Sequence, residues 1–187
     1  MKLFKKISIV LLATIIFTAC SDDDNPTPVN EEEVITTLTA TLTPVAGGDV
    51  ITLQTRDLDG DGPNAPVVTV SGNLAANTTY NGSLELLNET ENPAESINEE
   101  IEEEDDEHQF FYQATNSIAT FTYSDTDGDG NPIGLEFQLV TSTAATGNIT
   151  ITLRHEPNKE AAGVSDGDIT NAGGETDIQA VFPVTVQ

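Results

Sequence analysis

From Val34 onward the apolar residues of this chain recur at every second position, the period of a strand with one buried face. In VITTLTATLT, Val34, Thr36, Leu38, Ala40 and Leu42 fall on one face, while Ile35 and four threonines fall on the other. The β-branched content supports the same reading. A turn over residues 44–48 and a return over residues 50–56 complete a first hairpin, and residues 67–70 and 78–87 read as further strands. Asn81-Gly82 fits either a tight turn or a bulge within one longer strand, and the bulge is the expectation. Residues 110–114 and 117–123 read as a hairpin around Asn116. Three alternating sets follow: Ile133, Leu135, Phe137 and Leu139; Ile149, Ile151, Leu153 and His155; and Ile178, Ala180, Phe182, Val184 and Val186. About eight short strands separated by turn residues predict a mainly β fold, an antiparallel β-sandwich of immunoglobulin-like architecture. No strand–helix–strand alternation suggests a doubly wound sheet.

One stretch breaks the period. Residues 88–108 form an acidic insertion in which 11 of the 19 residues from Glu89 to Glu107 are Asp or Glu and none is Lys or Arg. Its start has helix grammar: Asn92 can cap, Pro93 suits the first helical position, and Glu95 stands at the capping-box distance. Ala94, Ile97, Ile101, Asp105 and His108 then recur at helical spacing. Like charges also recur four residues apart, as in Glu99/Glu103 and Glu100/Glu104, each pair costing a few tenths of a kcal/mol. The expected helix is therefore conditional, ordered best when protons or cations relieve the repulsion.

The first 19 residues have the form of a signal peptide, with Lys2, Lys5 and Lys6 ahead of an apolar run. Phe17-Thr18-Ala19-Cys20 resembles a bacterial lipobox, which implies lipid on Cys20 and attachment to the outer membrane. Ser21, Asp22, Asp23 and Asp24 resemble the export signal that sends lipoproteins to the cell exterior in one lineage of Gram-negative bacteria. Residues 20–33, acidic and proline-bearing, read as a disordered tether. Residues 34–187 read as a single domain, long enough to bury about two-thirds of its chain surface.

Charge narrows the partners. All 32 acidic residues follow Cys20, and only Arg56, Arg154 and Lys159 oppose them there. Such a field repels nucleic acid and attracts cations and basic proteins. With Cys20 assigned to lipid, no thiol remains for a disulfide, a metal or a nucleophile.

Three groups of residues can carry chemistry. Asp125, Asp127, Asp129 and Asn131, with Gly130 at the sixth position and Glu136 at the twelfth, match half of a calcium loop. The flanks read as strands, Pro132 stiffens the exit, and Glu136 falls on the solvent phase, so simple Asp-Gly turns account for the same residues. Asp57, Asp59 and Asp61 repeat the acidic half of the pattern. His108 and His155, with Glu104, Glu107 or Glu156, offer the His and carboxylate donors that zinc takes in the absence of thiols. The alternative is a hydrogen-bonded histidine at the core edge and an unrelated one at the surface. Calcium and zinc are thus the candidate cofactors. Without tryptophan, a phosphate loop, an activated serine or a cofactor fingerprint, no enzyme is expected.

The blocks RDLDGDGPNAPVV, NTTYNGSLELLNETE, EEDDEHQFFYQ, LRHEPNK and GVSDGDITNAGGETDI resemble a family of small bacterial surface lipoproteins often labelled "type 1 periplasmic binding fold superfamily protein". That label names two doubly wound lobes, whereas the length and strand pattern here supply a sandwich. The resemblance implies an accessory to an outer-membrane receptor for nutrients, metal ions among them. The expected function is a surface-exposed lipoprotein that binds divalent cations. The competing expectation is a structural or interaction lipoprotein that presents an acidic face to a basic protein.

Overall fold

Two antiparallel sheets face each other across one apolar core in the computed structural model, which describes residues 33–60 and 62–187. The strands are β1 (Thr37–Pro44), β2 (Ile51–Arg56), β3 (Val67–Val70), β4 (Thr79–Asn88), β5 (Glu95–Ser96), β6 (His108–Ala114), β7 (Ala119–Tyr123), β8 (Glu136–Thr141), β9 (Ala145–His155) and β10 (Glu175–Val186). The larger sheet runs β3-β2-β1-β4-β8-β7, with β5 paired to β4; the smaller runs β10-β9-β6. The fold is thus mainly β, with one short helix among the described residues, as the alternating pattern predicts. No helix among the described residues is long and apolar enough to cross a membrane.

The alternating positions meet in the core. Leu38, Ala40 and Leu42 of β1, Phe137 and Leu139 of β8, Ile149, Ile151 and Leu153 of β9, and Phe182 of β10 are all buried. Tyr112 of β6 stacks against Phe121 and packs on Phe137, and its hydroxyl donates to the Gly134 carbonyl. A phenol sunk this deep has its pKa pushed well up by burial.

Three local expectations change. Asn81-Gly82 is neither a turn nor a bulge, because β4 keeps unbroken register with β1 from Thr79's neighbour Tyr80 to Leu87. Gly82 lies opposite Phe137, and a Cβ there would fall inside that ring. The glycine thus makes room for an aromatic residue on the neighbouring strand.

Residues 110–114 and 117–123 do not pair with one another. β6 pairs with β9 in the small sheet, and β7 with β8 in the large one. The chain crosses between sheets through a 3-10 turn, Thr115–Ser117, where Asn116 and Ser117 take φ of 55° and 52°. Asn is a residue that tolerates this left-handed region.

The helix α1 spans only Asn98–Glu103. Asn92 does not cap it, since the helix begins only at Asn98 and β5 intervenes. Asn98 instead turns its amide back onto β4, accepting from the Leu86 N–H and donating to the Leu84 carbonyl. Ile97 and Ile101 are buried, as their spacing requires. The helix ends at Glu103, where Glu104 leaves helical geometry and donates its N–H to the Glu100 carbonyl, and no basic residue in the last turn offsets the negative end of its dipole. His108 consequently opens a strand.

Arg56 grips Glu89 through two hydrogen bonds of 2.9 and 2.6 Å. The guanidinium, with help from the Thr37 hydroxyl, holds the Glu89 carboxyl down to about 2.

Gly82→Val should cost about 1–3 kcal/mol in urea unfolding, because it drives a branched side chain into a filled core. Combining it with Phe137→Leu should recover part of that loss. Gly128→Ala, where an added Cβ meets nothing within 4 Å, should change the midpoint little. Equal losses at both glycines would show that Phe137 is not the reason for Gly82.

Candidate metal centre

The small sheet brings the two histidines together. His108 and His155 are the last register pair of β6 and β9. Just beyond them the Glu156 N–H donates to the Glu107 carbonyl at 2.7 Å, so this is a pair without hydrogen bonds of its own, the kind whose side chains lie closest. The imidazoles stack with centroids 4.6 Å apart and planes 28° apart. Both face inward at one end of the core, His108 fully buried and His155 nearly so. Gly174, at φ 68°, closes over the His155 carbonyl at a point where no Cβ would fit.

Two carboxylates meet them. Glu33 Oε1 lies 3.0 Å from His108 Nε2, and its Oε2 lies 3.8 Å from His155 Nδ1. Asp177 Oδ1 is 3.9 Å from the same Nδ1. The Glu33 side chain is 2% exposed and that of Asp177 is fully enclosed. Asp177 points inward because β10 slips register between Thr176 and Ile178, and Asp177 is the residue at the slip.

Hydrogen-bond logic fixes His108. Its Nδ1 lies 3.1 Å from the Glu104 carbonyl, which can only accept, so Nδ1 carries a proton. Nε2 then either bears a second proton toward Glu33 or offers its lone pair to a cation. Burial pushes the His108 pKa down, but the Glu33 hydrogen bond, the Glu104 carbonyl and the charges of Glu33 and Asp177 outweigh it, and the net shift is upward. Burial pushes Glu33 up; the His108 hydrogen bond, a backbone bond and both imidazoles outweigh that, and its net shift is downward. An N–H···O=C bond on the far nitrogen is also the usual way a metal-binding histidine is oriented.

Among the described residues, two groups of ligand atoms lie within 4.8 Å of one another: Glu33, Glu104, His108 and His155, and Glu107, His155 and Glu156. Ligands about 2.0–2.1 Å from one tetrahedral zinc ion are roughly 3.3 Å apart. Separations of 3.0 and 3.8 Å around Glu33 bracket that value. His155 Nδ1 and Glu33 Oε2 are both buried without a hydrogen bond. Two nitrogens and one or two carboxylate oxygens are a donor set that zinc and its d-block neighbours accept.

The aspartate loops are engaged otherwise. Asp125 accepts from the Gly134 and Glu136 amides, 2.8 and 2.9 Å away. Asp127 accepts from the Asp129 and Asn131 amides through Oδ1, and from the Lys159 ammonium through Oδ2 at 2.9 Å. Lys159 also donates to the Asp105 carbonyl at 2.5 Å. This ammonium supplies the positive charge at Asp127, so calcium there would have to displace it. Burial pushes the Asp127 pKa up; Lys159 and the loop amides outweigh it and hold the carboxyl down. Glu136 is exposed, its pKa raised by partial burial and then by the Asp125 charge. Asn131 donates its side-chain amide to Glu160. Asp57 and Asp59 cap their own turn, with Asp59 also holding Asn64. Asp61, Cys20, Ser21, Asp22, Asp23 and Asp24 lie outside the described residues.

Residue type and spacing single out His108, His155, Glu104 and Glu107, whereas Glu33, Asp177 and Lys159 join these sites only through the fold. Glu33 sits at the end of an acidic run read as tether, and Asp177 stands on the outward phase of a regular strand. Nothing in the composition separates either from its neighbours. Comparison with protein-family models, with curated proteins and with solved structures returns no match.

Lys159→Met would leave the Asp127 carboxylate buried without a counter-charge. It should cost about 3–5 kcal/mol at pH 7. Because the folded Asp127 pKa is lowered, its contribution is full above the unfolded value of about 3.9 and fades as pH falls through the folded one. The gap between the two proteins in denaturant unfolding should therefore narrow below about pH 4. A gap that stayed constant down to pH 2 would contradict the pairing.

Proposed function

We propose that this chain is a lipid-anchored outer-membrane protein, facing the cell exterior, whose domain binds divalent cations. The principal site is a zinc-type centre formed by His108 Nε2, His155 and Glu33, with Glu104 at its solvent side. The observation that carries this is the pair of buried atoms without hydrogen bonds, Glu33 Oε2 and His155 Nδ1, 3.8 Å apart beside His108 Nε2. A cation between them would satisfy both and take the place of the His108 proton. Cys20 as the lipid site, Ser21 with the three aspartates as export signal, and a role beside an outer-membrane nutrient or metal receptor belong to the same reading. They rest on the sequence resemblances and on the acidic field that draws cations to the domain.

A metal-free reading has its own support. The Glu33–His108 bond of 3.0 Å is complete without an ion. Helix α1 and β5 also turn Glu95, Glu99, Glu100 and Glu103 toward a shallow groove of about 490 Å³ that a basic protein could occupy. On that reading the buried cluster only closes the end of the core.

Isothermal titration of metal-stripped protein with zinc should give one ion per chain. Glu33→Gln, His108→Ala and His155→Ala should each weaken binding by more than the roughly 10–100-fold that loss of an outer partner costs. Asp127→Asn should leave zinc affinity unchanged. At a hundred times the dissociation constant, zinc should stabilise the wild type by about 2.7 kcal/mol. No heat and no stabilisation with zinc, cobalt or manganese would favour the metal-free reading.

Protease added to intact cells should remove the domain, and replacing Asp22, Asp23 and Asp24 with Ala should protect it. Digestion of the triple variant on whole cells would contradict the export assignment.

A further inference from the structure

His155 presents a second face. Its Nε2 lies 3.6 Å from Oε2 of Glu107, and Glu107, His155 and Glu156 each offer a ligand atom within 4.8 Å of the others. Both glutamates are exposed, with the Glu107 side chain at 49%, whereas the Nδ1 side of the ring looks into buried Glu33. The ring itself is enclosed, and its Nδ1 has no hydrogen bond. The carboxylate oxygens facing its two nitrogens, at 3.6–3.9 Å, are beyond ordinary hydrogen-bond reach. At the other margin, where Glu104 meets solvent, the His108 Nδ1 is committed to the Glu104 carbonyl and offers no second imidazole lone pair.

A neutral imidazole has one lone pair. With its proton on Nδ1, His155 can hold a cation through Nε2 together with Glu107 and Glu156. With the proton on Nε2, it can hold one through Nδ1 together with Glu33 and His108. The two positions share one ligand and cannot both be filled by the neutral ring.

We infer that Glu107, His155 and Glu156 form a solvent-facing entry site that takes a divalent d-block cation from water and passes it to the buried ligands, with His155 common to both positions. This rests on the metal-binding reading above. In the transfer the ring releases the ion from Nε2 and takes a proton there from water, Nδ1 gives its own proton to water, and the His108 Nε2 proton that the ion replaces also leaves to water, so the step as a whole releases one proton. The backbone bond from Glu156 to Glu107 keeps the two carboxylates together across the strand ends.

Stopped-flow mixing of the full chain with cobalt(II), followed by visible absorption, separates entry from retention. The Glu107→Gln/Glu156→Gln protein should bind one cobalt per chain about tenfold more slowly than wild type, with the dissociation constant changed less than about threefold. Glu33→Gln should do the reverse, keeping the association rate and losing affinity. Glu99→Gln/Glu103→Gln removes the same charge elsewhere on the surface and should leave the rate within about twofold. An unchanged rate in the Glu107/Glu156 variant would overturn the entry site while leaving the buried centre intact. So would equal slowing in the Glu99/Glu103 variant, or two cobalt ions per chain. Absence of any cobalt or zinc binding would overturn the centre itself and the entry site with it.

Discussion

Burying ionisable groups at the end of a hydrophobic core is costly unless each finds a partner, and the rest of this molecule is arranged around that constraint. Glu33, His108, His155 and Asp177 occupy one end of the sandwich, with side chains at most 5% exposed. A carboxylate or imidazolium moved from water into protein loses several kcal/mol unless charge and hydrogen bonds replace the lost solvation. His108 meets that demand from both sides, with a carbonyl on Nδ1 and a carboxylate on Nε2. His155 meets it only in part, with carboxylates at 3.6–3.9 Å. An incompletely satisfied group in a core is where a ligand is to be expected.

The backbone supplies the means. A register pair without hydrogen bonds stacks the imidazoles, and a slip in β10 swings Asp177 inward. A glycine at φ 68° lets the loop before β10 close on the His155 carbonyl. The three cations that follow Cys20 are spent internally, on Glu89, on Asp127, and on the Gly174 carbonyl with the Thr176 hydroxyl. Lys159 reaches the Asp105 carbonyl as well, and so ties the aspartate loop to the turn that carries Glu104 and Glu107. The calcium-like spacing and the histidine centre are therefore mechanically joined.

Much of the architecture was legible in the period-two pattern, because a one-residue slip would have turned Leu38, Phe137, Ile151 or Phe182 to solvent. The inward phase also marked His155 as a core-edge residue. Pairing partners were less legible. β6 and β7 are adjacent in sequence and separated by a turn, and only tertiary contacts send them to different sheets. Asn92 and Pro93 carried helix-start grammar that the pairing of β5 with β4 overrode. Of the site, His108 and His155 could be nominated by residue type, but their register could not be read. Glu33 and Asp177 became visible only once long-range contacts had buried them.

Crystals of the zinc-loaded protein, measured on both sides of the zinc absorption edge, would locate the ion. One anomalous peak should lie between His108 Nε2, His155 and Glu33, with Lys159 still on Asp127. A sole peak among the carboxylates of the Asp125 loop, or none at full zinc loading, would contradict the buried centre.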